Sequence, residues 1–202
     1  MRHMENNNQS NGDISPAKSK IKNGLQNVWD VIKFAIVALV IVIPIRMFIA
    51  QPFVVSGESM YPTFNDGEYL IVDEISYNLG HANRGDVVVF RYPKDPKRFF
   101  IKRIIGMPNE EIEINNGQVI IKNKENPNGF ILDESYIREE WATTGTYKTG
   151  DGEYFVMGDN RNRSSDSRFW GMLPKDLLIG RAYLRLLPLK DISYLPGKIT
   201  NK

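Results

Sequence analysis

Between Phe34 and Ile45 the chain carries no polar side chain, and from Val31 to Ala50 it is almost entirely apolar. No soluble fold accommodates such a run on its surface, so it must either cross a membrane or fill a core. A spanning helix needs about 20 apolar residues. The uninterrupted stretch is shorter, with Lys33, Pro44 and Arg46 toward its ends, but cations at helix ends can snorkel to the interface. A cleaved signal peptide would end in a small-x-small site, whereas here Phe48 and Ala50 flank Ile49. The remaining alternative is a buried core helix, a real option for runs this short.

We therefore expect a single membrane anchor over residues 29–50, preceded by a tail over residues 1–28. That tail, rich in Asn, Ser and Lys, is too polar to bury a core and reads as disordered and cytoplasmic. Lys18, Lys20, Lys22 and Lys33 precede the run and only Arg46 follows closely, which places the N-terminus in the cytoplasm and residues 51–202 outside it. The expected location is the cell membrane, in single-pass form.

Past Ala50 the apolar segments shorten and become β-rich: 69–72, 87–92, 99–105, 111–114, 119–122, 154–157 and 182–187, several separated by Gly, Asn, Asp or Pro. With no helical periods between them, these segments predict antiparallel pairing, a mainly β sandwich or barrel. Residues 123–152, richer in Gly, Asn, Thr and charge, read as a variable excursion rather than core.

Composition removes several kinds of chemistry. The formal net charge of +2 leaves no electrostatic footprint for nucleic acid. The chain has no cysteine, so disulfides, thiol nucleophiles and thiolate metal sites are out. Its two histidines, His3 and His81, cannot assemble a metal centre within one chain. We expect neither metal nor cofactor, and a general base other than histidine.

Three segments could carry chemistry. Ser56-Gly57-Glu58-Ser59-Met60-Tyr61-Pro62-Thr63 surrounds a serine with turn-forming residues. A serine hydroxyl attacks only when a neighbouring base takes its proton, and most serines beside glycine simply form turns. In Phe99-Phe100-Ile101-Lys102-Arg103-Ile104-Ile105, strand alternation sets Lys102 on one face with Phe100 and Ile104. A lysine near its free pKa of about 10.4 is no base at neutral pH, but an apolar wall that disfavours its charge makes it one. The plain alternative is a lysine that reaches out to water. The third segment runs from Met157 to Arg168, with acids Asp159 and Asp166, three arginines and three serines in a turn-rich stretch. Its acid spacing does not match a helix-loop-helix calcium site, and a solvated loop held by Asp/Arg pairs is the default.

Together the segments resemble the bacterial type I signal peptidase (leader peptidase) family. Ser59-Met60-Tyr61-Pro62-Thr63 is similar to its nucleophile box, and Arg84-Gly85-Asp86-Val87-Val88-Val89-Phe90 with Ile101-Lys102-Arg103 to its general-base boxes. Gly158-Asp159-Asn160-Arg161 through Asp166-Ser167-Arg168 is similar to its terminal box. The resemblance covers about residues 48–187, with a second lobe reduced to about 107–152 as in the compact Gram-positive form.

The resemblance implies that Ser59 attacks the scissile carbonyl and Lys102 is its base, with Ser164 orienting the amine and Asp166 pairing with Arg168. It implies an oxyanion donor in the Ser59 amide; at Gly57, where some relatives carry a serine hydroxyl, only a backbone amide is on offer. It further implies an extended substrate bound between residues 51–56 and 99–102. The apolar candidates for its pockets, Phe53, Val55, Met60, Phe64, Phe100 and Ile101, would favour small side chains of the Ala-x-Ala kind. The expected partners are signal peptides of exported preproteins, the lipid bilayer and the secretion translocon. The competing readings are a self-cleaving repressor-type Ser/Lys protease, an inactive homologue serving as a membrane-tethered binding module, and a protease using His81.

Overall fold

The computed structural model describes residues 28–42, 50–75, 80 and 82–199. It divides into two units, residues 1–45 and 46–202. In the first, residues 28–42 form a helix with exposed side chains. Fifteen helical residues rise only about 22 Å against an apolar bilayer thickness of about 30 Å, and no helix among the described residues is long and apolar enough to cross a membrane. Residues 43–49 of the expected anchor, nearly all of the expected tail, and His81 lie outside the described residues.

The second unit is mainly β and antiparallel, as the short β-rich segments predict. Twelve strands are described: β1 (Ala50–Val54), β2 (Tyr69–Asp73), β3 (Val87–Tyr92), β4 (Asp95–Gly106), β5 (Glu111–Asn115), β6 (Gln118–Lys122), β7 (Phe130–Ile131), β8 (Gly145–Lys148), β9 (Glu153–Met157), β10 (Leu173–Pro174), β11 (Leu178–Leu187) and β12 (Ser193–Tyr194). One sheet has the order β1-β2-β11-β3-β4-β9-β10, with β12 added beside β11; the other has the order β7-β6-β5-β8.

β9 shows why its segment is continuously apolar. Tyr154 and Val156 enter one buried cluster with Val88, Phe90, Ile104 and Trp170. Phe155 and Met157, pointing the other way, enter a second with Ile105, Ile112, Ile114, Val119 and Ile121. A strand covered on both faces loses its polar alternation. A third cluster, of Val55, Met60, Phe64, Leu70, Val87 and Ala182, lies beneath the segment that carries Ser59.

The stretch 123–152 departs from its reading as a mere excursion. β7 and β8 extend the second sheet, and Phe130, Leu132, Trp141 and Tyr147 pack on its core cluster. Two- and four-residue strands among polar residues carry too little periodicity to be seen in sequence. β1 supplies the strand expected just before the Ser59 turn, its first residue merging with the end of the apolar run.

Candidate active site

Ser59 sits in a turn after β1 whose shape depends on Gly57. That residue has φ +88°, a left-handed conformation in which a side chain is strained. The peptide is fixed there by Asp66, whose carboxylate accepts the Gly57 amide at 2.7 Å. The Gly57 amide is thus already engaged by Asp66. The Ser59 amide donates to no acceptor among the described residues. Its carbonyl accepts from the Asn160 amide at 3.0 Å, which ties the nucleophile turn to the terminal box.

Lys102 reaches the serine from β4. The two residues are 43 apart in sequence, yet Nζ donates to Ser59 Oγ at 2.7 Å and to the Ile101 carbonyl at 2.8 Å. The side chain runs past the Phe100 ring, with Nζ 5.3 Å from its centroid, and the residue is 4% exposed. Burial pushes the Lys102 pKa down to about 8, against the upward pull of the Asp166 and Asp159 carboxylates. At pH 7 such an amine is neutral in about one molecule in ten, against roughly one in three thousand for an unperturbed lysine. A buried neutral amine bonded to a hydroxyl can take its proton as the oxygen attacks a carbonyl.

The terminal box surrounds this pair with buried ions. Asp159 receives two bonds from Arg103, Nε to Oδ1 at 2.8 Å and Nη2 to Oδ2 at 2.5 Å, and one from Thr63 Oγ1 at 2.5 Å. Arg103 also donates to the Gly85 and Gly197 carbonyls at 2.8 and 2.6 Å. Sequence reading missed this pair, since alternation gives a strand arginine no partner. Asp166 accepts from Arg168 Nε and Nη2, both at 2.8 Å, and from the Gly158 amide at 3.1 Å. Arg161 pairs with Glu134 of the second lobe and donates Nε to the Gly158 carbonyl at 3.1 Å.

Ser164 is buried, but its hydroxyl makes no hydrogen bond among the described residues. Among the described residues the second contact of the Lys102 amine is the Ile101 carbonyl. Ser164 instead packs on Gly158, where a Cβ would collide with Ser164 Oγ and the Ser59 carbonyl oxygen. We expect Gly158→Ala to force these groups apart, cutting kcat about 10²-fold at a stability cost of about 1–3 kcal/mol. Steady-state kinetics alongside urea unfolding would check both.

A cleft of about 650 Å³ opens over the dyad between β1 and β4, lined by Phe53, Val55, Phe99, Phe100, Ile101, Ser59 and Lys102, among others. Met60 and Phe64 do not line it. Both are wholly buried in the third cluster, so their apolar character serves the core. β1 pairs only with β2, and β4 meets β9 only from Arg103 onward, so among the described residues both strands turn an unpaired edge to the cleft. A larger hollow, about 1040 Å³ beside the second sheet, contains neither Ser59 nor Lys102.

Residues 28–187 match the family model described as Signal peptidase, peptidase S26. The chain belongs to the signal peptidase family, peptidase S26. It is a hydrolase of the type I signal peptidase group, and its relatives agree. A "Probable signal peptidase I-2" from Synechocystis is 39% identical, over 90% of this chain and 84% of its own length. "Signal peptidase IB" of Staphylococcus aureus MRSA252 is 32% identical, over 78% of this chain and 88% of its own. Among solved structures, a signal peptidase I from Enterococcus faecalis V583 aligns with 50% of this chain and 95% of its own, at 29% identity and a TM-score of 0.43.

Proposed function

We propose that this signal peptidase removes N-terminal signal peptides from exported preproteins, with Ser59 as nucleophile and Lys102 as general base. The single observation that carries the reading is the 2.7 Å contact between Ser59 Oγ and a lysine amine that is almost wholly buried. An extended substrate lies between the free edges of β1 and β4, adding as a strand through main-chain hydrogen bonds. Phe53, Val55, Phe100 and Ile101 form apolar walls that favour small side chains before the cut, hence cleavage after Ala-x-Ala. Neutral Lys102 takes the hydroxyl proton as Ser59 acylates, then returns it to the leaving amine. The Ser59 amide donates to the oxyanion, and such a donor is worth about 10²–10³ in rate. Asp159 and Asp166, each clamped by an arginine, hold the terminal box against the dyad.

Mass-spectrometric mapping of a cut preprotein tests this reading. Scission after the second Ala of an Ala-x-Ala site, absent in Ser59→Ala, supports it; an uncut preprotein with wild-type protein refutes it. The pH profile should carry the mark of the base. Because the Lys102 pKa lies below the ordinary lysine value, kcat/KM should rise tenfold per pH unit up to about pH 8 and then level off. A profile flat from pH 6 to 9 would remove lysine from the base role.

Residues 29–50 anchor the chain with its N-terminus in the cytoplasm, residues 51–202 outside it, and residues 107–152 forming the small lobe of that outer domain. The apolar run ends nine residues before Ser59, which keeps the nucleophile near the bilayer surface, beside the translocon. Full-length protein should require detergent for extraction from membranes; quantitative recovery without it would overturn the anchor.

A further inference from the structure

The β3–β4 hairpin carries charge that the cleavage chemistry does not use. Within residues 91–98 it carries Arg91, Lys94, Lys97 and Arg98, all exposed, against the single carboxylate of Asp95. No ion pair engages any of the four cations among the described residues. The two arginines rest on aromatic faces instead: Arg91 over Phe99 at 5.1 Å, Arg98 over Phe100 at 5.4 Å and over Tyr92 at 6.0 Å. Tyr92 and Phe100 stack at 4.5 Å, and Phe99 is 46% exposed. A merely solvated turn has no need of four exposed cations, two of them on an aromatic platform. A surface that meets phosphates above an apolar layer does.

The position of the hairpin points the same way. Successive antiparallel pairings make β1 and β4 run in the same direction, so their first residues, Ala50 and Asp95, lie at one end of the sheet. The Phe53 and Phe99 rings touch across the cleft, with centroids 5.5 Å apart. Arg91 also influences Glu74, just beyond the end of β2, which pairs with the start of β1. The chain enters β1 directly from the apolar run 31–50. We propose that the β3–β4 hairpin tip docks on the anionic headgroups of the membrane, holding the entry end of the cleft against the bilayer from which a signal peptide emerges. The proposal rests on the membrane reading above, and each near-surface cation contributes about fivefold in affinity.

The chain has no native cysteine, so Pro96→Cys can carry one environment-sensitive NBD fluorophore on the full-length protein. In vesicles of phosphatidylcholine with phosphatidylglycerol the emission should shift to the blue, and molar salt should reverse it. Pure phosphatidylcholine should give no shift. Adding Arg91→Gln and Lys94→Gln, two cations at about fivefold each, should weaken the response about 25-fold. The same pair of substitutions should raise KM for a vesicle-embedded preprotein by a similar factor, with cleavage of a soluble peptide unchanged. Equal emission in neutral and anionic vesicles would overturn the proposal. So would a full response to inorganic phosphate alone, which would make the tip a site for soluble anions. If the protein stays in the supernatant of neutral vesicles, the anchor fails instead, and the phosphatidylglycerol-dependent shift still decides the hairpin.

Discussion

Replacing Lys102 by Met should abolish peptide cleavage, lowering kcat/KM by about 10⁴-fold or more while substrate binding and folding persist. Met has nearly the length and volume of the lysine stem, and a thioether in place of the buried amine removes an unfavourable desolvation, so the core has no reason to yield. What disappears is the only amine within reach of Ser59 Oγ among the described residues. Groups that act as one unit are not additive, so Ser59→Ala on top of Lys102→Met should cost little further. Lys102→Arg should be as inactive as Met, because a guanidinium does not give up its proton near neutral pH. The check is a progress curve on an Ala-x-Ala peptide with circular dichroism of each variant. Activity of Lys102→Met within tenfold of wild type would assign the base elsewhere.

Asp159→Ala should produce the largest loss of stability of any single change at the site. Arg103 and Asp159 side chains are wholly buried and joined by two bonds. Deleting one partner strands the other's charge in a low dielectric, at a cost of about 3–5 kcal/mol. Total stabilities of about 5–15 kcal/mol make that a large fraction. The ion pair itself need not be a net gain over an apolar pair, so Arg103→Met with Asp159→Leu should recover part of the loss. Recovery should be incomplete, because Arg103 also serves the Gly85 and Gly197 carbonyls. Urea unfolding of the three proteins in one detergent would measure this; a loss below 1 kcal/mol for Asp159→Ala would mean that water enters the site.

The β character of the second unit was legible because alternation is a local signal, written in neighbouring residues. Glu111–Ile114 declared itself this way, while Val87–Tyr92 and Tyr154–Met157 showed as short continuous β-rich apolar runs. Ser59 and Lys102 were local candidates, the first in a turn and the second on a face with Phe100 and Ile104, and the resemblance of several boxes in order singled them out. The helix over residues 28–42 lies within the run whose apolar character the sequence made plain.

Other features depend on which strands become neighbours and in what register, which no local pattern encodes. The β4–β9 pairing brings Arg103 beside the loop that carries Asp159, 56 residues away, and the turn after β1 directs Met60 and Phe64 into the core rather than toward the cleft. The fold spends the Gly57 amide on Asp66 and leaves the Ser164 hydroxyl without a hydrogen-bond partner among the described residues. The chemistry of Lys102 divides along the same line. Sequence supplied an amine on an apolar strand, but its pKa depends on how completely Phe100 and the terminal box exclude water, and that burial exists only once β1, β4 and the 158–168 loop have closed around it.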